Sequence, residues 1–446
     1  MIGPSIGIDV GGTFTDLVSI DPDGAVAAHK VLSTPGDQSD GVMAALSALG
    51  DVPAEGTRIV HGTTVATNTL LERTGARVAL CATAGATDLL HLRRQQRAAL
   101  YDLTRHHPPP LIDDTHLVPV PERITPNGVQ IALTPEGAGA VARSVLALGP
   151  DIVAVSLLHA YLDPAHERVL ERALHDALPD VEIVTSTDVL PEIREYERTT
   201  TTVAEAYLRP GVARYLRRLE ARLREGGYPC PAVMTSSGGM RDALEASRTA
   251  AALALSGPAG GVVGAAFVAR LAGFRDALTI DIGGTSADAG VVVDGEPLSE
   301  PGGDVAGVPI ALPRVLVETV SAGGGSIGWI DDAGALRVGP RSAGARPGPA
   351  AFGRGGTEAT VTDAHVVLGN VRHARLAGGV GIDPRAAGSA VDRLARRLGA
   401  EPQRVAAAMI AAADAAVARA LRRVSVERGI DPRRCVLVAF GGGGGL

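Results

Sequence analysis

The chain has 446 residues, of which 46% are hydrophobic and 20% charged, enough for two or three soluble domains with full cores. Its net charge of −7, with no basic block, excludes the electrostatic footprint of a nucleic-acid binder. Lys30 is the only lysine, so a phosphate loop of the Gly-x-x-x-x-Gly-Lys-Ser/Thr kind is excluded and lysine Schiff-base chemistry nearly so.

The elements alternate from the start. Apolar residues 6–8 lead into Asp9-Val-Gly-Gly-Thr-Phe-Thr-Asp16, a second apolar run follows at 17–20, and Asp21-Pro-Asp-Gly24 marks a turn. This predicts strand, glycine turn, strand. A short helix is expected over 40–49, a strand over 58–61 ending in Gly62-Thr63-Thr64, a helix over 65–73 and an apolar strand over 77–82. Residues 103–140, rich in Pro and His, read as an excursion holding a hairpin with one arm at 129–133. A βαβ unit follows: helix 135–148, buried strand 151–158, helix 164–178 and strand 181–185. Such alternation implies parallel or mixed sheets covered by helices.

A boundary is expected near Pro191, dividing the chain into domains 1–190 and 191–446. Residues 191–223 carry a long helical pattern that Pro210 should kink or interrupt. A strand (232–235) and a small-residue helix opening at Ser256-Gly257-Pro258 precede a second copy of the first motif, Asp281-Ile-Gly-Gly-Thr-Ser-Ala-Asp288. It too lies between apolar runs and ends at a turn, Asp294-Gly295. After a Gly-rich excursion (321–357) come helices over 385–398 and 402–427, a buried strand over 435–440 and a glycine loop. The apolar segments 250–273 and 405–421 are too interrupted to span a membrane, and no signal-peptide pattern opens the chain, so a cytoplasmic protein is expected. Cys81, Cys230 and Cys435 form no Cys-x-x-Cys pair, which argues against a zinc cluster or disulfide framework and for small buried side chains.

Two flanked copies of Asp-x-Gly-Gly-Thr predict two facing hairpins that clamp a nucleotide polyphosphate. Tandem glycines (Gly11 and Gly12; Gly283 and Gly284) let the backbone approach an anion, and their amides form a concave anion site. The hydroxyls of Thr13 and Thr285 add neutral partners. Asp9 and Asp281, at the carboxyl ends of strands, would repel phosphate unless a divalent cation lies between, and Mg2+, which keeps its waters, suits that place. Taken alone, each motif is also compatible with a tight hairpin carrying structural aspartates. His61, with Thr63 and Thr64, could touch substrate or be an ordinary hydrogen-bonded strand-end histidine. Arg93, Arg94 and Arg97 fit a solvated helix face better than an anion site, and the charges over 192–198 fit a salt-laced helix surface with room for one buried functional charge.

These phrases, with His61-Gly-Thr-Thr-Val-Ala-Thr-Asn68, Arg94-Gln95, Leu100-Tyr-Asp-Leu103, Pro191-Glu-Ile-Arg-Glu-Tyr-Glu-Arg-Thr199, Ser256-Gly-Pro-Ala-Gly-Gly-Val-Val-Gly264 and Ala322-Gly-Gly-Gly-Ser-Ile327, carry a specific likeness over essentially the whole chain. The chain resembles the hydantoinase A / 5-oxoprolinase family, within the ATPase superfamily of actin, sugar kinases and heat-shock chaperones. The resemblance implies an α/β fold of duplicated ribonuclease H-like (actin-like ATPase) domains with mixed sheets and a nucleotide cleft between them. It implies ATP-dependent opening of a cyclic amide or imide of the hydantoin, N-methylhydantoin or 5-oxoproline type by phosphorylation of the carbonyl oxygen, with ATP and Mg2+ bound, a hydantoinase B-type partner subunit, and an oligomeric assembly; related members carboxylate ketones. In that scheme Asp9 and Asp281 hold magnesium through water, and Asp16 or Asp288 orients a water or a loop. Gly11, Gly12, Thr13, Gly283, Gly284 and Thr285 grip phosphate, Gly324 and Gly325 belong to the cofactor site, and Gly441, Gly442 and Gly443 lie under adenine and ribose.

The chain departs from the family pattern at Glu318, where a histidine is usual, at Arg346, in place of an aspartate, and at Ala351, in place of a cysteine. A different substrate or a loss of activity follows if the family residues bind metal or substrate. Family members are also expected to continue past the last glycine loop, so a shortened, catalytically silent nucleotide-binding or scaffold protein is the rival expectation. A sugar- or acetate-type kinase shares the fold but fits the phrases less well.

Overall fold

The computed structural model describes residues 3–11, 14–32, 34, 37–50, 56–371 and 380–446, apart from the side chains of Phe14 and Leu32. The first motif forms the predicted hairpin. Strand β1 (Ser5–Val10) alternates strictly, with Ile6, Ile8 and Val10 buried and Ser5, Gly7 and Asp9 on the open face. It runs antiparallel to β2 (Phe14–Ile20), which pairs with β3 (Val26–Leu32). The turn between β2 and β3 is set by chemistry: the Asp21 carboxylate accepts from the amides of Asp23 (3.0 Å) and Ala25 (2.8 Å), and Gly24 takes φ +86°. On its other side β1 pairs in parallel with β4 (Arg58–Thr63). Ala232–Met234 and Met240–Asp242 complete this six-stranded mixed sheet beyond β4.

The boundary expected at 190 is therefore crossed by one sheet, which takes its last two strands from beyond it. The residues between form a four-stranded parallel sheet, ordered Glu182–Thr185, Ile152–Ser156, Val78–Thr83, Leu117–Val120, as the βαβ reading implies. Helix α1 (Glu195–Glu225) then returns the chain to the first sheet, where Leu219 and Leu223 pack on Ile6, Ile8 and Leu17. It begins four residues later than expected and runs through Pro210 without a break. Burial of nearly every side chain from Arg198 to Leu208 outweighs the one backbone hydrogen bond that proline forfeits.

Helix α2 (Ser256–Leu271) joins the halves, touching β4 on one side and the third sheet on the other. That sheet repeats the first arrangement. Strand β5 (Ala277–Ile282) is antiparallel to β6 (Ala287–Val293), which pairs with β7 (Val317–Val320), while β8 (Val436–Phe440) lies parallel to β5 as β4 does to β1. Helix α3 (Pro402–Val424) covers one face through Ala420 and Val424. Strand β8 is not the buried strand expected: its burial alternates, Val436 and Val438 packing on one face while Leu437, on the other, is 54% exposed, and among the described residues no strand pairs with its outer edge. The cysteines also divide, Cys81 being buried, Cys435 partly so and Cys230 exposed. Among the described residues no helix is long and apolar enough to cross a membrane.

Candidate functional site

Antiparallel pairing places the closing aspartate of each motif directly opposite the opening one. Asp9 faces Asp16 across β1 and β2, and Asp281 faces Asp288 across β5 and β6. The third strand completes a row of three in each half. Asp16 stands opposite Lys30 on β3, whose Nζ lies 2.5 Å and 2.6 Å from the two Asp16 carboxylate oxygens. Asp288 stands opposite Thr319 on β7, whose hydroxyl donates to Asp288 Oδ1 at 2.5 Å.

The two rows meet. Asp9 stands on the open face of β1, and its carboxyl is raised by burial, then by Asp16 and by Asp281 from the other half, with Lys30 opposing. Asp281 is raised by burial and by Asp288; Asp288 is raised by burial, against the Thr319 hydrogen bond. Two hairpins far apart in sequence thus share one electrostatic site. Among the described residues no three His, Cys, Asp or Glu side chains converge as a direct metal cage.

Glycines let the surrounding backbone close on these carboxylates. A Cβ on Gly62 would stand 2.8 Å from Asp9 Oδ1, and one on Gly441 only 2.0 Å from Asp281 Oδ1, at φ +80°. The loop after β8 is tied to β5 by the Gly443 amide, which donates to the Ile282 carbonyl at 2.8 Å; a Cβ on Gly442 would meet nothing within 4 Å. The first turn of α2 reaches Asp9 from another side, a Cβ on Gly257 lying 4.0 Å from Oδ1. Gly284 and Thr285 are exposed at the tip of the second hairpin, Gly283 less so and braced by the carbonyl of Ser286, which accepts from its amide at 3.0 Å. Gly11 is at the edge of the first turn, and Gly12 and Thr13 lie outside the described residues.

Gly324 and Gly325 have a different place from the one expected. Their amides donate to the carbonyls of Gly283 (3.0 Å) and Gly284 (2.6 Å). An amide hydrogen so engaged is not free for phosphate, so these residues brace the second hairpin from behind. Thr362 in turn holds Gly324, its amide and its hydroxyl both donating to the Gly324 carbonyl. The sequence offered no signal separating a glycine that touches ligand from one that supports the loop.

His61 does not reach the cleft: it is 1% exposed, its Nε2 lies 2.8 Å from the Tyr215 hydroxyl, and burial lowers its pKa to about 4. It is a neutral core histidine. Arg94 forms a two-point pair with Glu197 at 2.5 and 2.6 Å, and Arg93 donates to the Pro108 carbonyl, so neither is simply solvated. The buried charge in the run 192–198 is Arg198, 0% exposed, donating to the carbonyls of Glu192 and Leu157 and lying 5.3 Å over the Tyr161 ring. Glu318, the departure from the family pattern, is paired with Arg423. Arg346 lies in a loop and Ala351 in the short 3-10 helix Ala350–Phe352, both ahead of the helix at Val361–Val367, and the Ala351 amide donates to the buried Asp363 carboxylate at 2.7 Å.

Two family models match the chain: hydantoinase/oxoprolinase N-terminal region over residues 5–178, and hydantoinase/oxoprolinase over residues 198–446. Caprolactamase subunit alpha of Pseudomonas jessenii is 37% identical over 456 residues, covering 99% of this chain and 65% of that protein. Acetophenone carboxylase gamma subunit of Aromatoleum aromaticum is 35% identical over 471 residues, covering 99% and 63%. Among solved structures, the ATP-dependent caprolactamase from Pseudomonas jessenii superposes with a TM-score of 0.86 at 36% identity, covering 98% of this chain and 65% of that one. Nucleotide-free acetone carboxylase gives 0.83 at 29% identity, covering 100% and 66%. The chain thus spans about two thirds of the length of these relatives. With paired hairpins, mixed sheets and family models over most of its length, the chain belongs to the hydantoinase/oxoprolinase family.

Proposed function

We propose that this chain is the ATP-binding part of an enzyme that opens a cyclic amide or imide by phosphorylating its carbonyl oxygen, acting with a partner subunit. One observation carries the reading: two copies of the Asp-x-Gly-Gly-Thr hairpin, each with its two aspartates paired across the turn, stand within electrostatic reach of each other, Asp281 helping to raise the carboxyl of Asp9. Crowded carboxylates with raised pKa values fit a hydrated divalent cation, which removes their mutual repulsion. The glycines at 62 and 441 fit the same reading, since a side chain there would strike the carboxylate.

When bound, Mg-ATP supplies a phosphoryl group that turns a lactam carbonyl oxygen into a leaving group for attacking water. The chain's own residues position and compensate charge. Asp9 and Asp281 orient the waters of the magnesium ion. Gly12 and Thr13 on one side, and Gly284 and Thr285 on the other, offer amides and hydroxyls to phosphate; Gly11 and Gly283 give the turns their close approach, the Gly283 amide being held by the Ser286 carbonyl. Asp16 and Asp288 align the opening aspartates and the water between the strands. The loop 441–443 accepts the adenosine end. Gly324 and Gly325 keep the second hairpin in shape.

A second reading, an ATP-dependent ketone carboxylase subunit, draws on the comparable similarity to acetophenone carboxylase gamma subunit. Both begin with phosphoryl transfer to an oxygen and diverge in the acceptor. Phosphate release should be measured with the partner subunit present, across lactams, hydantoins and ketones with bicarbonate. Stimulation by a cyclic amide or imide alone supports the first reading. Stimulation only by a ketone with bicarbonate supports the second, and no stimulation anywhere contradicts both.

A further inference from the structure

The two rows of the cleft are alike in their first two members and differ in the third. Asp9–Asp16–Lys30 carries two carboxylates and an ammonium, whereas Asp281–Asp288–Thr319 carries two carboxylates and a hydroxyl. Lys30 is the sole lysine among 42 Lys and Arg side chains. Its place is fixed by the turn at 21–24, which sets the register that brings it opposite Asp16. Its side chain is 34% exposed, its ammonium touches both Asp16 oxygens, and its charge reaches Asp9. An ordinary exposed cross-strand ion pair contributes little to stability. Here the pair lies at the one place where the carboxylates of both halves accumulate.

From this asymmetry we infer that Lys30 is the phosphate-directed cation of the cleft: Asp16 holds it in place, and it makes the first hairpin the half that draws phosphate more strongly, leaving the Asp281–Asp288–Thr319 row as the half that draws the cation more strongly. The inference rests on the nucleotide reading of the cleft. An ammonium is a compact point charge with three donors, suited to phosphate oxygens, and it needs no metal to attract them. The row lacking it keeps two uncompensated carboxylates, which attract a divalent cation with or without nucleotide.

The halves separate by probe. ATP affinity is measured in EDTA, and Mn2+ affinity without nucleotide, for the wild type, Lys30→Met, Lys30→Arg and Asp288→Asn. The expected result is that Lys30→Met weakens metal-free ATP at least tenfold while leaving Mn2+ binding unchanged or tighter. Lys30→Arg should recover part of the loss, and Asp288→Asn should do the reverse of Lys30→Met. As the only side-chain amine, Lys30 also gives a direct readout: its acylation by a succinimidyl ester, followed by mass spectrometry, should slow when ATP is present without metal. Arg77→Met, which breaks an ion pair with Asp151 far from the site, serves as the control and should change neither affinity. Equal ATP affinity and unprotected acylation in a wild type that does bind ATP overturn the role of Lys30 alone. A wild type that binds no ATP, with or without cation, overturns the nucleotide reading as well.

Discussion

The two hairpins use one plan to different ends. Each sets a pair of aspartates across an antiparallel turn and lays a parallel strand beside the first. In the first half that parallel strand, β4, is flanked by Ala232–Met234 and its Ile59 is 3% exposed. In the second, β8 pairs only with β5 among the described residues, and Leu437 is 54% exposed. The glycine loops differ too: the second hairpin is braced by the Gly323–Gly325 turn behind it and by the loop at 441 beside Asp281. Duplication supplies the symmetry of the carboxylates. The third strands and supporting loops make the halves unequal, and a site binding an asymmetric ligand needs that inequality.

The comparison breaks most visibly at the parallel strands. Ile59→Ala should cost about 2–5 kcal/mol, as for a fully packed core side chain, whereas Leu437→Ala should stay within about 0.5 kcal/mol. Denaturant unfolding of both variants checks this, and equal losses would mean that β8 is packed like β4. Next in size is the crowding of the aspartates. Gly441→Ala places a methyl against Asp281 at positive φ and should cost about 1–3 kcal/mol, together with at least a tenfold loss of Mg-ATP affinity. Gly62→Ala, with a wider approach to Asp9, should lose less on both measures.

The smallest expected effect concerns pH. Asp9, Asp281 and Asp288 have folded-state pKa values above the ordinary 3.8. Between the ordinary and the raised value the folded chain holds more protons than the unfolded one, so their contribution falls as pH rises through that window and stays unfavourable above it. Asp9→Asn should therefore raise the melting temperature of the ligand-free chain at pH 7 by a few degrees or less and leave it little changed at pH 3. Magnesium should stabilise the wild type more than this variant. A lower melting temperature for Asp9→Asn at pH 7 would contradict the crowding described for the cleft.

Much of this architecture was legible in the order of residues. The strands and helices of the βαβ unit, both hairpins and the helix opening at Ser256 follow from periodicity and turn chemistry, which act locally. What escaped depends on distant contacts. Pro210 does not stop its helix because burial from both sides holds that segment together. His61 turned inward to Tyr215, a partner more than 150 residues away. The charges at 192–198 read as a helix surface with room for one buried charge, but that it is Arg198 depends on Tyr161 and on the carbonyl of Leu157, which adjoin it only in the fold. Gly324 and Gly325 look like any phosphate loop until their amides are traced to Gly283 and Gly284. Lys30 stood out as the only lysine, but its meaning needed the register that sets it against Asp16.

The claim that both hairpins form a single Mg-ATP site is met most directly by isothermal titration of the chain with Mg-ATP, repeated for Asp9→Ala and for Asp281→Ala. One site per chain is expected in the wild type, with each substitution alone weakening binding at least tenfold, about 1.4 kcal/mol. An affinity left intact by either substitution, or no binding by the wild type, would mean that the two aspartates do not serve one ligand.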